Sequence, residues 1–142
     1  MKNFHPLASK RTIMVVDDDS RLLAMLQVML EGNDFNVTCA NSGQHLFDGL
    51  EEQKPDLIIL DIMMPHMDGF QVLKRLKEKP ETASIPVILL TAKVQCEDVL
   101  GGYNLGADYY ITKPFTRAQL MEGINLIFSG KKSDSNQGQA AH

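Results

Sequence analysis

The chain predicts an α/β domain in which one parallel sheet is covered by helices on both faces, and three observations carry that expectation. Short continuous apolar runs, Thr12-Ile13-Met14-Val15-Val16, Leu57-Ile58-Ile59-Leu60 and Ile85-Pro86-Val87-Ile88-Leu89-Leu90, have the length of strands buried on both sides, and each stops at a polar residue. Between them lie segments whose apolar residues recur at helical spacing. The two patterns alternate through the chain, and right-handed crossovers leave few other ways to bury both kinds of surface.

Residues 1–10 hold one proline and no period of either kind, so they are expected to form an arm, with order from Arg11 onward. The first strand, residues 12–16, closes at Asp17-Asp18-Asp19. Asp19 or Ser20 can cap a helix that ends at Gly32 and places Leu22, Met25, Leu26, Met29 and Leu30 on one stripe; that phase turns Leu23 and Val28 to solvent. Residues 35–40 alternate as a second strand, and Asn41-Ser42-Gly43 opens a helix through Leu46, Phe47 and Leu50 to about Gln53. The third strand runs from Leu57 to Asp61, bounded by Lys54-Pro55-Asp56 before it and by Pro65 and Gly69 after it.

A third helix, residues 69–79, carries Phe70, Val72, Leu73 and Leu76 inward, and Pro80 marks its end. Residues 85–91 form a fourth strand that delivers Thr91. A helix over about 95–105 is weakly specified, because Gly101 and Gly102 each cost it roughly 1 kcal/mol relative to alanine. Gly106 suits its left-handed cap, residues 108–112 form a short fifth strand, and Lys113-Pro114 breaks that strand. Thr116 and Gln119 make a capping box for a last helix through Leu120, Ile124, Ile127 and Phe128. Residues 130–142 carry nothing larger than alanine on the apolar side and are expected to be a disordered tail or linker.

At 142 residues and 44% hydrophobic, the chain has apolar material for one domain. The net charge of -4 and the lack of any Lys/Arg run longer than two exclude a phosphate-backbone footprint, so direct nucleic-acid binding is not expected. No signal-peptide core opens the sequence and no apolar run approaches the roughly 20 residues of a spanning helix, so the expected compartment is the cytoplasm, away from membrane. Cys39 and Cys96 lack a metal-ligand spacing and read as two reduced thiols. His5, His45, His66 and His142 read as surface residues, and the methionines as core filler.

The parallel arrangement brings the carboxyl ends of the strands to one edge, where ligands of such sheets bind. Asp17 and Asp18 arrive there after the first strand, Asp61 after the third, Thr91 after the fourth and Lys113 after the fifth. An aspartate at a strand end is ordinarily a turn residue or cap, and a lone lysine is ordinarily solvated, but five such groups at successive strand ends converge. Asp61, closing the most apolar run, is the chemical centre, since an unpaired buried charge costs several kcal/mol or more and is not there for packing. Three carboxylates this close call for a divalent cation, and an all-oxygen set with water suits Mg²⁺. A hydroxyl and an ammonium opposite the metal suit a phosphoryl group, whose transfer needs positioning and charge neutralisation above all.

Val15-Val16-Asp17-Asp18, Leu60-Asp61-Ile62-Met63-Met64-Pro65-His66-Met67-Asp68-Gly69, Leu90-Thr91-Ala92 and Gly106-Ala107-Asp108-Tyr109-Tyr110-Ile111-Thr112-Lys113-Pro114-Phe115 resemble the receiver domain of bacterial response regulators, the CheY-like module of two-component systems. The resemblance covers about residues 11–129, and its D-x-x-M-P-x-M-D-G and K-P-F motifs are highly specific. It implies a flavodoxin-like (βα)5 sandwich of strand order 2-1-3-4-5. It also implies that Asp61 accepts a phosphoryl group from a phosphohistidine on a sensor histidine kinase or phosphotransfer domain, so that the domain catalyses only its own phosphorylation and dephosphorylation. Carried over by position, Asp17, Asp18 and Asp61 bind Mg²⁺, with Mn²⁺ as the alternative, and Met63 adds its backbone carbonyl. Thr91 and Lys113 then hold the phosphoryl oxygens, Tyr110 matches the switch aromatic, and Lys113-Pro114 matches a bond that is cis in the family. The implied partners are the kinase, which contacts the first helix and so the expected Leu23–Val28 pair, and an output protein or domain. The latter is reached through the face of the fourth helix, fifth strand and last helix, and a phosphorylation-dependent dimer is a further expectation. Met63 and Lys93, two residues beyond Asp61 and Thr91, are expected to flank the path of a hydrolytic water. Gly101 and Leu105 depart from the family pattern without touching the chemistry.

Two rival readings share parts of this site. A haloacid-dehalogenase-type phosphatase also forms a phosphoaspartate beside a hydroxyl and a lysine, but it needs a second aspartate two residues after the nucleophile, where this chain has Met63. A receiver-like module that binds partners without phosphorylation is expected to have lost site residues, and none of the five is missing.

Overall fold

A computed structural model describes residues 10–64, 69–92 and 106–130. The strands are β1 (Thr12–Val16), β2 (Asn36–Ala40), β3 (Leu57–Asp61), β4 (Val87–Thr91) and β5 (Tyr109–Thr112). The helices are α1 (Ser20–Glu31), α2 (Gly43–Glu52), α3 (Gly69–Glu78), the single turn α4 (Pro80–Ala83) and α5 (Arg117–Ser129). All strand pairs are parallel and the order is β2-β1-β3-β4-β5, the predicted doubly wound topology. The helix expected over 95–105, with Gly101 and Leu105, lies outside the described residues, as do Lys93, Cys96, His5, His66, His142, most of the arm and the tail from 131.

The sheet separates two cores. Met14, Val16, Ile58, Leu60, Val87 and Leu89 point to one side, where Leu46 and Leu50 of α2 and Val72, Leu73 and Leu76 of α3 cover them. Ile13, Val15, Leu57, Ile59, Ile88 and Leu90 point to the other, beneath Leu23, Leu26 and Leu30 of α1 and Leu120, Ile124 and Ile127 of α5. Period-two alternation in strands that are apolar except for one terminal residue each produces this division, and β1, β3 and β4 are buried throughout.

Helix ends follow the expected chemistry. The Asp19 side chain accepts from the backbone N–H of Arg21 and Leu22 at the start of α1, Ser42 caps α2, and Thr116 with Gln119 closes a capping box on α5. Gly130 ends α5 in the left-handed conformation at φ 78°.

The phase expected for α1 is corrected. Leu23 is buried, not exposed, and Met25 is 45% exposed, not buried. Apolar residues span more of this helix than one stripe uses, so two phases compete. The phase adopted sinks Leu23, Leu26 and Leu30 into the core, leaves Leu22 and Met29 at its margins, and turns Met25 and Val28 outward. Pro80 ends α3 as expected and also starts α4, because proline at a first helical position loses no hydrogen bond. Pro86 falls before β4 rather than inside it, though its carbonyl accepts from Ile58 N–H at 3.0 Å.

Candidate functional site

The carboxyl edge of the sheet carries the predicted residues, each delivered by a strand end. Val16 of β1 pairs with Leu60 of β3, which sets Asp17 and Asp61 side by side; Leu90 of β4 pairs with Asp61, and Thr91 with Thr112 of β5, one residue before Lys113. Asp17, Asp61 and Thr91 are buried at 1–2% exposure, whereas Asp18 is exposed.

Asp17 is held through both oxygens: Oδ1 accepts the Asp19 N–H at 2.9 Å and Oδ2 accepts Lys113 Nζ at 3.0 Å. Lys113 Nζ also forms an ion pair with Asp61 Oδ1 at 3.1 Å, so the ammonium lies between the two buried carboxylates. The Met63 backbone N–H faces the Asp61 carboxylate. Lys113 is positioned by its own backbone as well, its N–H donating to the Thr91 carbonyl at 2.6 Å, and the Lys113-Pro114 bond is cis.

Burial pushes the Asp61 carboxyl above the ordinary aspartate range and the negative charge of Asp17 adds to this; Lys113 and the Met63 N–H oppose both without cancelling them. Burial pulls the Lys113 ammonium down, but its hydrogen bond to Asp17 and the charges of Asp17 and Asp61 outweigh burial and leave it raised. The edge therefore holds more negative charge than one lysine settles. Oxygens of Asp17, Asp18 and Asp61 lie within 4.8 Å of one another, two from buried groups and one from an exposed group, an arrangement that can hold a hard divalent cation with an open side to water.

All five predicted site residues meet at this edge. Tyr110 is half-buried against the α2/α3 core, one residue from the buried Tyr109 on the opposite face. Met63 follows Asp61 with its side chain 54% exposed, while Met64 beside it is buried.

Sequence reasoning missed Gly69 as a site residue, treating it as a strand boundary, a motif residue and a helix start. A Cβ at Gly69 would stand 2.6 Å from the Asp61 carbonyl oxygen and 2.6 Å from the Ile62 Cα, and its N–H donates to the Ile62 carbonyl at 2.7 Å. Only glycine lets the first turn of α3 rest on the backbone that presents Asp61. The signal available was the Asp-Gly pair at the end of the motif after β3.

A doubly wound parallel sheet with an acidic pair, a buried aspartate, a hydroxyl and a lysine at successive strand ends defines a receiver domain. Residues 13–125 match the response regulator receiver domain family, and the chain belongs to it. It is 36% identical over 138 residues to the alkaline phosphatase synthesis transcriptional regulatory protein PhoP of Bacillus subtilis (strain 168), covering 91% of this chain and 57% of the relative. It is 40% identical over 116 residues to the probable transcriptional regulatory protein TcrX of Mycobacterium tuberculosis, covering 82% of this chain and 49% of the relative. The chain thus spans about half the length of these curated relatives. Among solved structures it superposes on the signal receiver domain of a signal transduction histidine kinase from Syntrophus aciditrophicus with a TM-score of 0.78, at 34% identity, covering 86% of this chain and 92% of that one.

Proposed function

We propose that Asp61 accepts a phosphoryl group from a phosphohistidine of a sensor histidine kinase or phosphotransfer domain, and that the phosphorylated form addresses an output protein or domain. The observation that carries this reading is the Asp61 carboxylate, 2% exposed yet within reach of a lysine ammonium and sharing its surroundings with a second buried carboxylate. A carboxylate oxygen of Asp61 attacks phosphorus in line, the bond to the imidazole nitrogen breaks, and its electron pair leaves with the imidazole. Such a transfer asks for charge neutralisation and alignment, which Lys113 and the Thr91 hydroxyl supply from the neighbouring strands. Mg²⁺, or Mn²⁺ on the same ligands, would be held by Asp17, Asp18, Asp61 and the Met63 carbonyl and would screen the incoming phosphoryl oxygens.

Tyr110 sits on β5 opposite Leu89, two residues before Thr112, the partner of Thr91, so a phosphoryl group gripped by Thr91 and Lys113 biases the β5 and α5 face only through its differential contacts with the two conformations. In this reading the domain acts on nothing but its own phosphoryl group, works in the cytoplasm, and occupies residues 11–129 between an arm and a linker. The phosphatase reading gains nothing from the geometry, because the position that needs a general acid carries Met63.

Incubation with acetyl phosphate and Mg²⁺, followed by intact-mass measurement, should give a single phosphoryl adduct that disappears with a chelator and in Asp61→Asn. An adduct surviving in Asp61→Asn, or none in the native protein, sinks the assignment.

A further inference from the structure

Two adjacent methionines follow Asp61 and are treated oppositely by the fold. Met64 is 9% exposed and packs into the α2/α3 core, while Met63 is 54% exposed. Met63 stands two residues beyond Asp61 at the end of β3, so its Cα lies no more than about 7–8 Å from that of Asp61, and its N–H faces the Asp61 carboxylate. A flexible thioether rooted that close, and standing in solvent, is the most accessible oxidisable group beside the acceptor among the described residues. The Cys39 thiol is half-buried on β2, and Met25 lies on the outward face of α1.

We propose that Met63 is a redox-sensitive site at which peroxide oxidation to the sulfoxide shortens the lifetime of the phosphoryl group on Asp61. A sulfur lone pair attacks one oxygen of the peroxide and the O–O bond breaks. The S–O bond forms, sulfur loses two electrons, and the peroxide is reduced to water. The product keeps the length of the side chain but exchanges an apolar, polarisable tip for a strongly polar oxygen acceptor. Hydrolysis of a phosphoaspartate requires a water aligned in line with the leaving carboxylate, and the unmodified thioether offers that water only a weak acceptor. A sulfoxide oxygen accepts a hydrogen bond from it and holds it in place. One modest hydrogen bond gained in this way should speed loss of the phosphoryl group about three- to tenfold. Met64, covered by the core, is spared, so the response belongs to one of two neighbouring residues with the same chemistry.

This inference rests on Asp61 being the phosphoacceptor, and the test separates the two. The full chain is treated with hydrogen peroxide until peptide sequencing by mass spectrometry shows Met63 oxidised and Met64 intact. It is then phosphorylated with acetyl phosphate, and decay of the adduct is followed after the donor is removed. Decay should accelerate on oxidation in the native protein and in Met25→Leu, should return to its starting rate after treatment with methionine sulfoxide reductase, and should not respond to peroxide in Met63→Leu. Normal uptake with decay unchanged at full Met63 oxidation overturns this inference alone, as does an equal response to peroxide in Met63→Leu. No uptake by the untreated protein overturns the acceptor assignment and this inference with it.

Discussion

Asp61 is ionised at a cost. Its surroundings favour the protonated form, so the folded chain binds a proton there more tightly than the unfolded chain does, and the carboxylate subtracts from stability once pH passes its raised folded pKa. Lys113 has the same dependence in an alkaline window: raised above its ordinary value, it adds stability that is fully present below the unfolded lysine range and is lost only as pH climbs through the folded one. Asp61→Asn should therefore unfold at a higher temperature than the native protein at pH 7 in the presence of a chelator, and the gap should narrow at pH 4, because the raised pKa makes the folded chain take up this proton before the unfolded chain does. Thermal scans at the two pH values check this, and an Asn variant less stable at pH 7 would mean that the ion pair with Lys113 outweighs burial. The identities of Asp17, Asp18, Asp61, Thr91 and Lys113 were legible because each closes an apolar run. The division of labour among them was not. Nothing in Asp17-Asp18 says which carboxylate turns inward, and the contact of Lys113 with Asp17 joins residues 96 positions apart.

At the scale of elements, the existence of α1 was legible and its phase was not, because leucine, methionine and valine on neighbouring stripes score alike until the sheet beneath chooses between them. The choice keeps Val28 in the candidate kinase-docking surface and replaces Leu23 by Met25, and the two line a groove with Arg117 at the start of α5. Val28→Asp, on a residue 73% exposed, should slow phosphotransfer from the cognate kinase and leave acetyl phosphate labelling unchanged. Loss in both assays would mark a damaged fold. Leu23→Asp is expected to show that damage, since it buries a charge. The junction of β3 and α3 offers a sharper test. Gly69→Ala adds one carbon against backbone that cannot move without shifting Asp61, so it should destabilise the fold by about 1–3 kcal/mol in urea unfolding and also weaken labelling of Asp61. Stability lost with labelling intact would confine Gly69 to packing.

For the whole molecule, topology was the most legible property, since five short apolar runs alternating with helices admit few arrangements. Less legible were the bonds that tie the strands at their opposite, amino-terminal edge. Asp56 accepts the Thr12 N–H on Oδ2 at 2.8 Å and returns its own N–H to the Thr12 carbonyl at 2.8 Å; Asp108 does the same with Val87, at 2.8 and 2.9 Å. Lys77 reinforces that edge, its ammonium 3.0 Å from the carbonyls of both Ala83 and Ile85. Side chain to backbone pairing of this kind leaves no periodic trace. Asp108→Ala strands the buried Val87 N–H and should cost about 1–3 kcal/mol in chemical denaturation, whereas Asp108→Asn, which keeps an acceptor oxygen, should cost less. Equal losses would assign the effect to charge.

These two reciprocal bridges join β1 to β3 and β4 to β5, the strand pairs whose far ends carry Asp17 beside Asp61 and Thr91 beside Lys113. Parallel strands have no hairpin to set their alignment, and a slip of one residue would swap the two faces of a strand. The chemistry at one edge of the sheet is thus indexed from the other, as the teeth of a zip are aligned by the pin at its base.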